Sequence, residues 1–249
     1  MMSSGIATGK TSVTTLVRED YNKRLFSGNW RSRIHLSRFH WLAKQMRRLG
    51  LNHLTIIELG CYDGKTIEFL DCLPEAYLGL DANWEGGLDS GRVKWKDLPN
   101  IELRLCRNPQ DIPTPQAPYS VGICMETLEH VPPDIVEPYL QKLSGVIKGH
   151  IFITVPVERG LVFLIKHGLK RLLGMKDNSF RKGEFFNSVI GKLDRVTRHE
   201  HKGFDDRVLV RQIEKHFDII SVSGVFPGLP IIGLNLTIGI VARTRTPQV

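Results

Sequence analysis

The feature that most constrains this chain is a rhythm of short apolar runs, each followed by a segment of different periodicity. The runs lie at 54–59, 76–80, 101–105, 120–125 and 150–155. The first is rich in β-branched residues and stops at Gly60, so it reads as a buried parallel strand, and the others read as further strands. Residues 65–73 carry Ile67, Phe69, Leu70 and Leu73 on one side and stop at Pro74, which predicts a helix. A second helix opens at Pro132-Pro133-Asp134, carries Ile135, Tyr139, Leu143 and Val146, and is closed by Gly149. The Gly-rich, Trp-bearing stretch 83–96 reads as a loop. Strands alternating with helices imply an α/β fold with a mostly parallel sheet. Near the end, apolar runs at 217–225 and 234–241 flank a Pro/Gly turn, the pattern of an antiparallel hairpin at a sheet edge.

The length of 249 residues, with 41% hydrophobic and 24% charged, suits one large domain with a substantial core and excludes a disulfide-stapled miniprotein or a wholly disordered chain. The four cysteines, Cys61, Cys72, Cys106 and Cys124, are widely spaced with no Cys-x-x-Cys pair, which fits reduced thiols and implies neither a disulfide framework nor a metal. The first residues lack the apolar stretch of a secretory leader, and no run is long enough to span a bilayer. The expectation is a cytoplasmic protein without a transmembrane span. A Walker-like stretch at 5–11 has three residues between its glycines where four are needed, and no strand precedes it.

Charge is unevenly distributed. Residues 1–50 carry a net +8, residues 51–158 a net −8, residues 159–202 a net +7 and the remainder +1. An acidic centre between basic flanks suggests a core that accepts a cation and surfaces that meet an anionic partner; solvated helix faces are the plainer reading of the flanks. Within 31–50, Ile34, Phe39, Leu42 and Met46 recur at helical intervals among arginines and lysines before Gly50. The organisation expected is a basic N-terminal helical segment, 1–50, and a domain over 51–249 with a basic helical insertion at about 157–200.

Ligands of open α/β sheets bind at the carboxyl ends of strands, so the loop Glu58-Leu59-Gly60-Cys61-Tyr62-Asp63-Gly64 is the place to look. A dinucleotide fingerprint starting at Gly60 would need glycine at 62 and 65, where Tyr62 and Lys65 stand. What remains is an acid two residues before the first glycine, a glycine loop, and Asp81 ending the next strand, able to accept both hydroxyls of a ribose. Such a site suits a positively charged nucleoside without phosphates. The pattern resembles the class I S-adenosylmethionine-dependent methyltransferases, whose first motif reads D/E-x-G-x-G-x-G. Asn108-Pro109-Gln110-Asp111-Ile112-Pro113 resembles the family's adenine-side segment, with Asn108 in place of the usual acid. Cys124-Met125-Glu126-Thr127-Leu128-Glu129-His130-Val131 resembles its fourth-strand signature, and Ile153-Thr154-Val155-Pro156 its fifth.

The resemblance covers about 55–157 and implies a Rossmann-like, seven-stranded sheet and S-adenosyl-L-methionine as cofactor. It implies cofactor contacts from Glu58, Gly60, Cys61, Tyr62, Gly64, Asp81, Ala82, Asn108 and Glu126. Tyr62 departs from the family's central glycine. For a hydroxyl acceptor a nearby base helps, and the candidates are His201, His199 and His130, with solvated loop histidines as the alternative. The segment Leu161-Val162-Phe163-Leu164-Ile165, followed by Lys166, His167, Lys170 and Arg171, reads as a lid or as a helix lying peripherally on the inner face of a membrane. A looser likeness of Val157-Glu158-Arg159-Gly160 and the later His-x-x-Gly-Phe-Asp to methyltransferases of cell-surface glycan assembly implies a sugar hydroxyl, on a small molecule or a lipid- or phosphate-linked glycan, as acceptor. The alternatives are an RNA methyltransferase using the basic flanks, and a noncatalytic binding protein retaining the fold.

Overall fold

The computed structural model describes residues 30–172, 180–199, 201–226 and 234–245. The Walker-like stretch and most of the turn before the last strand lie outside these residues. Seven strands form one sheet: β1 (Thr55–Leu59), β2 (Ala76–Asp81), β3 (Ile101–Leu105), β4 (Tyr119–Met125), β5 (Ile147–Pro156), β6 (Phe217–Gly224) and β7 (Thr237–Thr244). Their order is β3-β2-β1-β4-β5-β7-β6. The first five are parallel, whereas β7 pairs antiparallel with both β5 and β6. The expected edge hairpin is present, with its second strand on the inside.

The helices are α1 (Trp30–Arg48), α2 (Gly87–Trp95), α3 (Pro133–Val146), α4 (Gly160–Leu172), α5 (Lys182–Val189) and α6 (Asp206–His216). Adjacent residues of a strand face opposite ways, and Ile56 and Ile57 accordingly enter two different cores. On one face Ile57, Leu80 and Ile153 pack with Leu140 and Leu143 of α3 and with Leu209 and Ile213 of α6. On the other, Ile56, Tyr77, Ile123 and Phe152 meet Phe39, Leu42 and Met46 of α1. Each such side chain, fully buried, contributes about 1.5–3 kcal/mol, which is why the basic N-terminal helix holds to the sheet despite its charge. Trp41 extends this contact to the far strands by donating its indole N–H to Ser223 Oγ at 3.1 Å.

Three local expectations differ from the structure. The helix expected at 65–73 is a single 3-10 turn, Lys65–Phe69. The loop expected at 83–96 contains α2, which begins after a left-handed Gly86 and is held by Leu88 N–H donating to Asn83 Oδ1 at 3.1 Å. Its Gly87 and Gly91 lower helix propensity, but they let Tyr62 and the Asp63 backbone approach, so packing overrides propensity. Finally, α3 ends at Val146 and β5 starts at Ile147, so Gly149 lies inside the strand.

Candidate active site

The chain passes outward from β1 to β2 and β3, then returns to place β4 on the other side of β1. Strand order therefore reverses beside β1, where α/β sheets hold ligands. Register sets the strand ends level: Leu59 pairs with both Leu80 and Cys124, so the residues that follow, Gly60, Asp81 and Met125-Glu126, emerge along one edge.

The loop after β1 is held by β2. Gly60 and Cys61 both donate amide N–H groups to Leu80 O, at 2.7 and 3.2 Å. Tyr62 N–H donates to Asp81 Oδ2 at 3.0 Å, and Asn83 N–H donates to Asp81 Oδ1 at 2.7 Å. Asp81 is thus fixed against the glycine loop with lone pairs remaining on each oxygen. Gly60 has φ +80, and a Cβ there would fall 2.0 Å from Thr127 Oγ1, so only glycine lets the β1 and β4 loops meet. Tyr62 adopts φ 51, the left-handed backbone its glycine counterpart would take readily, and its ring lies against Gly87 at the start of α2. Cys61 turns into the core against Gly79 and Leu103, leaving its backbone at the loop. Gly64, at φ +75, approaches the Trp95 ring, and that indole donates to Asp63 O at 2.9 Å. Ala82 follows Asp81, half-buried. Asn108 is exposed, in the turn where Arg107 and Asn108 N–H groups donate to Asp111 Oδ2. That turn is tied to the site by Cys106 N–H, which donates to Asp81 O at 2.8 Å.

Glu58 is 2% exposed and accepts from Thr66 Oγ1 at 2.7 Å and from the Tyr77 hydroxyl. Burial raises its carboxyl to about 7, against the hydrogen bonds from Tyr77 and Thr66. Above it lies a small cleft of about 40 Å³ between α1 and the loop, lined by Arg38, Phe39, Glu58, Gly60, Cys61, Tyr62, Lys65, Thr66 and Met125. Arg38 Nε is buried there without a hydrogen-bond partner among the described residues, its guanidinium over the Phe39 ring.

A second group of side chains gathers past β4. Glu126 has φ 50 and is half-buried; Glu129 is 1% exposed. His130 and His201 stack edge to face with ring centroids 4.4 Å apart. His130 Nε2 and His201 Nδ1 lie 3.9 and 4.0 Å from Glu129 Oε1. Burial, then the Glu126 charge, pushes the Glu129 carboxyl well up; burial, then His130, pulls His201 down to about 4. Glu126 is raised by burial, against the charges of Arg38 and Lys166.

The insertion fixes His201 there. Glu184 of α5 accepts from Arg181 N–H (3.0 Å), Thr197 N–H (3.1 Å) and Lys202 Nζ (2.8 Å), and these bonds, the Lys202 one foremost, hold its carboxyl down at about 2. Arg198 Nη2 donates to Glu129 O at 2.7 Å, which locks the loop onto the end of β4. His199 is exposed, pairs through its backbone with Lys202, and stands outside the cluster. On α4, Val162, Phe163 and His167 face inward, and Phe163 and His167 pack with Phe180 and Phe185, while Leu161, Leu164, Ile165, Leu169 and Leu172 are exposed. Among the described residues no helix is long and apolar enough to cross a membrane.

Sequence comparison finds no matching family model and no significantly matching curated protein. Solved structures are informative. An S-adenosylmethionine-dependent methyltransferase from Clostridium acetobutylicum ATCC 824 superposes with a TM-score of 0.62 at 12% identity, over 91% of this chain and 96% of that one. Magnesium protoporphyrin IX methyltransferase from Synechocystis PCC 6803, with bound SAH, gives 0.58 at 12% identity over 90% and 92%. The small RNA methyltransferase HEN1 gives 0.57 at 15% identity, over 86% of this chain and 26% of that one.

The chain has the class I methyltransferase fold. In this fold the sequence-derived candidates separate into two groups: Glu58, Gly60, Tyr62, Gly64, Asp81 and Ala82 around the β1 and β2 ends, and Glu126, His130 and His201 past β4. Sequence reasoning passed over Arg38, Glu129 as a site residue, and Glu184. The cue for Arg38 was a cation on the inward side of an amphipathic helix. For Glu184 it was an acid at the third position of a helix, where it can cap the backbone.

Proposed function

We propose that this protein is an S-adenosylmethionine-dependent O-methyltransferase whose acceptor is a sugar hydroxyl, on a small molecule or a lipid- or phosphate-linked glycan. The observation that carries the cofactor part of this reading is Asp81, presented by the amides of Tyr62 and Asn83 with free lone pairs at the reversal of strand order. There it takes the two ribose hydroxyls. Gly60 and Gly64 let the ligand approach the backbone between them, Cys61 serves by its main chain, and Ala82 and Asn108 border the base. Arg38 and Glu58 bring opposite charges to one cleft, complementary to an amino-acid end that carries a carboxylate and an ammonium. The cleft is smaller than such a ligand, so the Arg38 and Phe39 side chains move to admit it.

When bound, the cofactor supplies an electrophilic methyl group. The protein has to align the acceptor and exclude water. Glu126, Glu129, His130 and His201 lie where the acceptor oxygen would be handled, beside the loop that Glu184 and Arg198 hold in place. The apolar row on α4, flanked by Lys170 and Arg171, supports contact with the inner face of an anionic membrane, where a lipid-linked acceptor would be met.

Calorimetry with S-adenosylmethionine tests the cofactor: saturable binding is expected, and its absence from folded protein would leave a noncatalytic binding role. Incubation with methyl-labelled cofactor tests the acceptor. Label is expected in glycans or sugar-containing small molecules; label confined to RNA or protein overturns that assignment.

A further inference from the structure

We propose that Glu129, His130 and His201 form a divalent-cation site, with Glu126 beside them. One ligand atom from each of the three lies within 4.8 Å of the others. Ligands about 2.1 Å from one ion are at most about 4.2 Å apart. Both imidazole-to-carboxylate separations, 3.9 and 4.0 Å, fall inside that limit.

The second observation is what these atoms do not touch. Glu129 is 1% exposed, yet neither of its carboxylate oxygens has a hydrogen-bond partner among the described residues, and the same holds for the buried Nδ1 of His201 and for Glu126 Oε1. Three other buried acids differ: Glu58 is held by Thr66 and Tyr77, Glu184 by three donors, and Asp206 by a bidentate Arg159. Leaving a carboxylate unpaired in the interior costs several kcal/mol, and a cation offsets that cost. The backbone is prepared for it: Arg198 fastens the Glu129 carbonyl, and Glu184 fastens the loop that delivers His201. Lys166, the nearby amine, is already engaged by Glu158.

Two imidazole nitrogens with carboxylate oxygen favour a first-row divalent ion such as Mn²⁺, Co²⁺ or Zn²⁺ over Ca²⁺. Three protein ligands leave positions open. An acceptor oxygen placed there loses its proton to water more easily, then bonds to the methyl carbon as the carbon–sulfur bond breaks and its electron pair stays on sulfur. Neither imidazole then has to take the proton. This role rests on the hydroxyl-acceptor reading; the binding site does not.

The test uses the full chain stripped with EDTA and titrated with Mn²⁺, free ion being followed by its paramagnetic resonance signal. One saturable site is expected. Glu129→Gln and the more accessible His130→Ala should each weaken it at least about 10-fold while S-adenosylhomocysteine affinity by calorimetry stays within about twofold. The proposal fails if protein that binds S-adenosylhomocysteine takes up none of Mn²⁺, Co²⁺ or Zn²⁺ saturably, or if both variants bind Mn²⁺ as tightly as the parent chain. Ion binding without methyl transfer to any hydroxyl would uphold the site and overturn the acceptor reading instead.

Discussion

Two carboxylates stand at the ends of β2 and β4, the strands on either side of β1, and they are treated in opposite ways. Asp81, past β2, accepts from two backbone amides and is open to solvent on one side. Glu129, past β4, is enclosed, and among the described residues neither of its carboxylate oxygens has a hydrogen-bond partner. The first region is organised by the chain's own backbone, so it needs a ligand only to fill the remaining lone pairs. The second has its side chains in place but, among the described residues, polar valences left open, which the proposed cation would fill.

The strongest way to break this contrast is at Asp81. Asp81→Ala removes the proposed ribose acceptor and frees two loop amides; cofactor affinity measured calorimetrically is expected to fall about 100-fold or more, near 3 kcal/mol. A smaller loss would mean that the cofactor half is not built around this residue.

Gly60→Ala tests whether the two halves must touch. A Cβ at φ +80, aimed at Thr127 Oγ1, should cost about 2–3 kcal/mol in denaturant unfolding, and an unchanged midpoint would show the β1 and β4 loops to be separable.

Glu58 sharpens the comparison through pH. Its folded value of about 7 is raised above the ordinary 4.5 by burial, so its contribution to stability is full below 4.5 and is lost as pH rises through 7. Unfolding free energy should therefore decline by roughly 2 kcal/mol between pH 5 and 8 on account of this group. Glu58→Gln should flatten that slope, and an identical slope in the variant would refute the assignment.

On the acceptor side, Glu184→Gln loosens the loop that carries His201. We expect kcat/KM for methyl transfer to drop about 10-fold, near 1.4 kcal/mol, with cofactor affinity unchanged. Restored transfer with Glu184→Asp would mark it as a positioning residue. His199→Ala should change stability and transfer by no more than about 0.5 kcal/mol, because the ring is exposed and outside the cluster. A large loss there would redraw the acceptor half.

How much could be read beforehand varied with the range of the cause. The runs at 54–59 and 76–80, the glycines at 60 and 64, and Asp81 carried their meaning locally: short apolar runs make buried strands, and glycine marks a turn that must bend sharply. Helix α2 was not legible, since Gly87 and Gly91 argue against a helix until Tyr62 and Asp63 are packed on them. No sequence interval shows that His130 and His201 share one carboxylate, because that contact spans β5 and the whole insertion. Sequence alone determined the order of elements and the residues at the strand ends, because backbone preference and burial periodicity act over a few neighbours. Tertiary structure decided which polar groups are paired and which are left open, because that depends on donors delivered from distant segments, as Glu129 and Glu184 show.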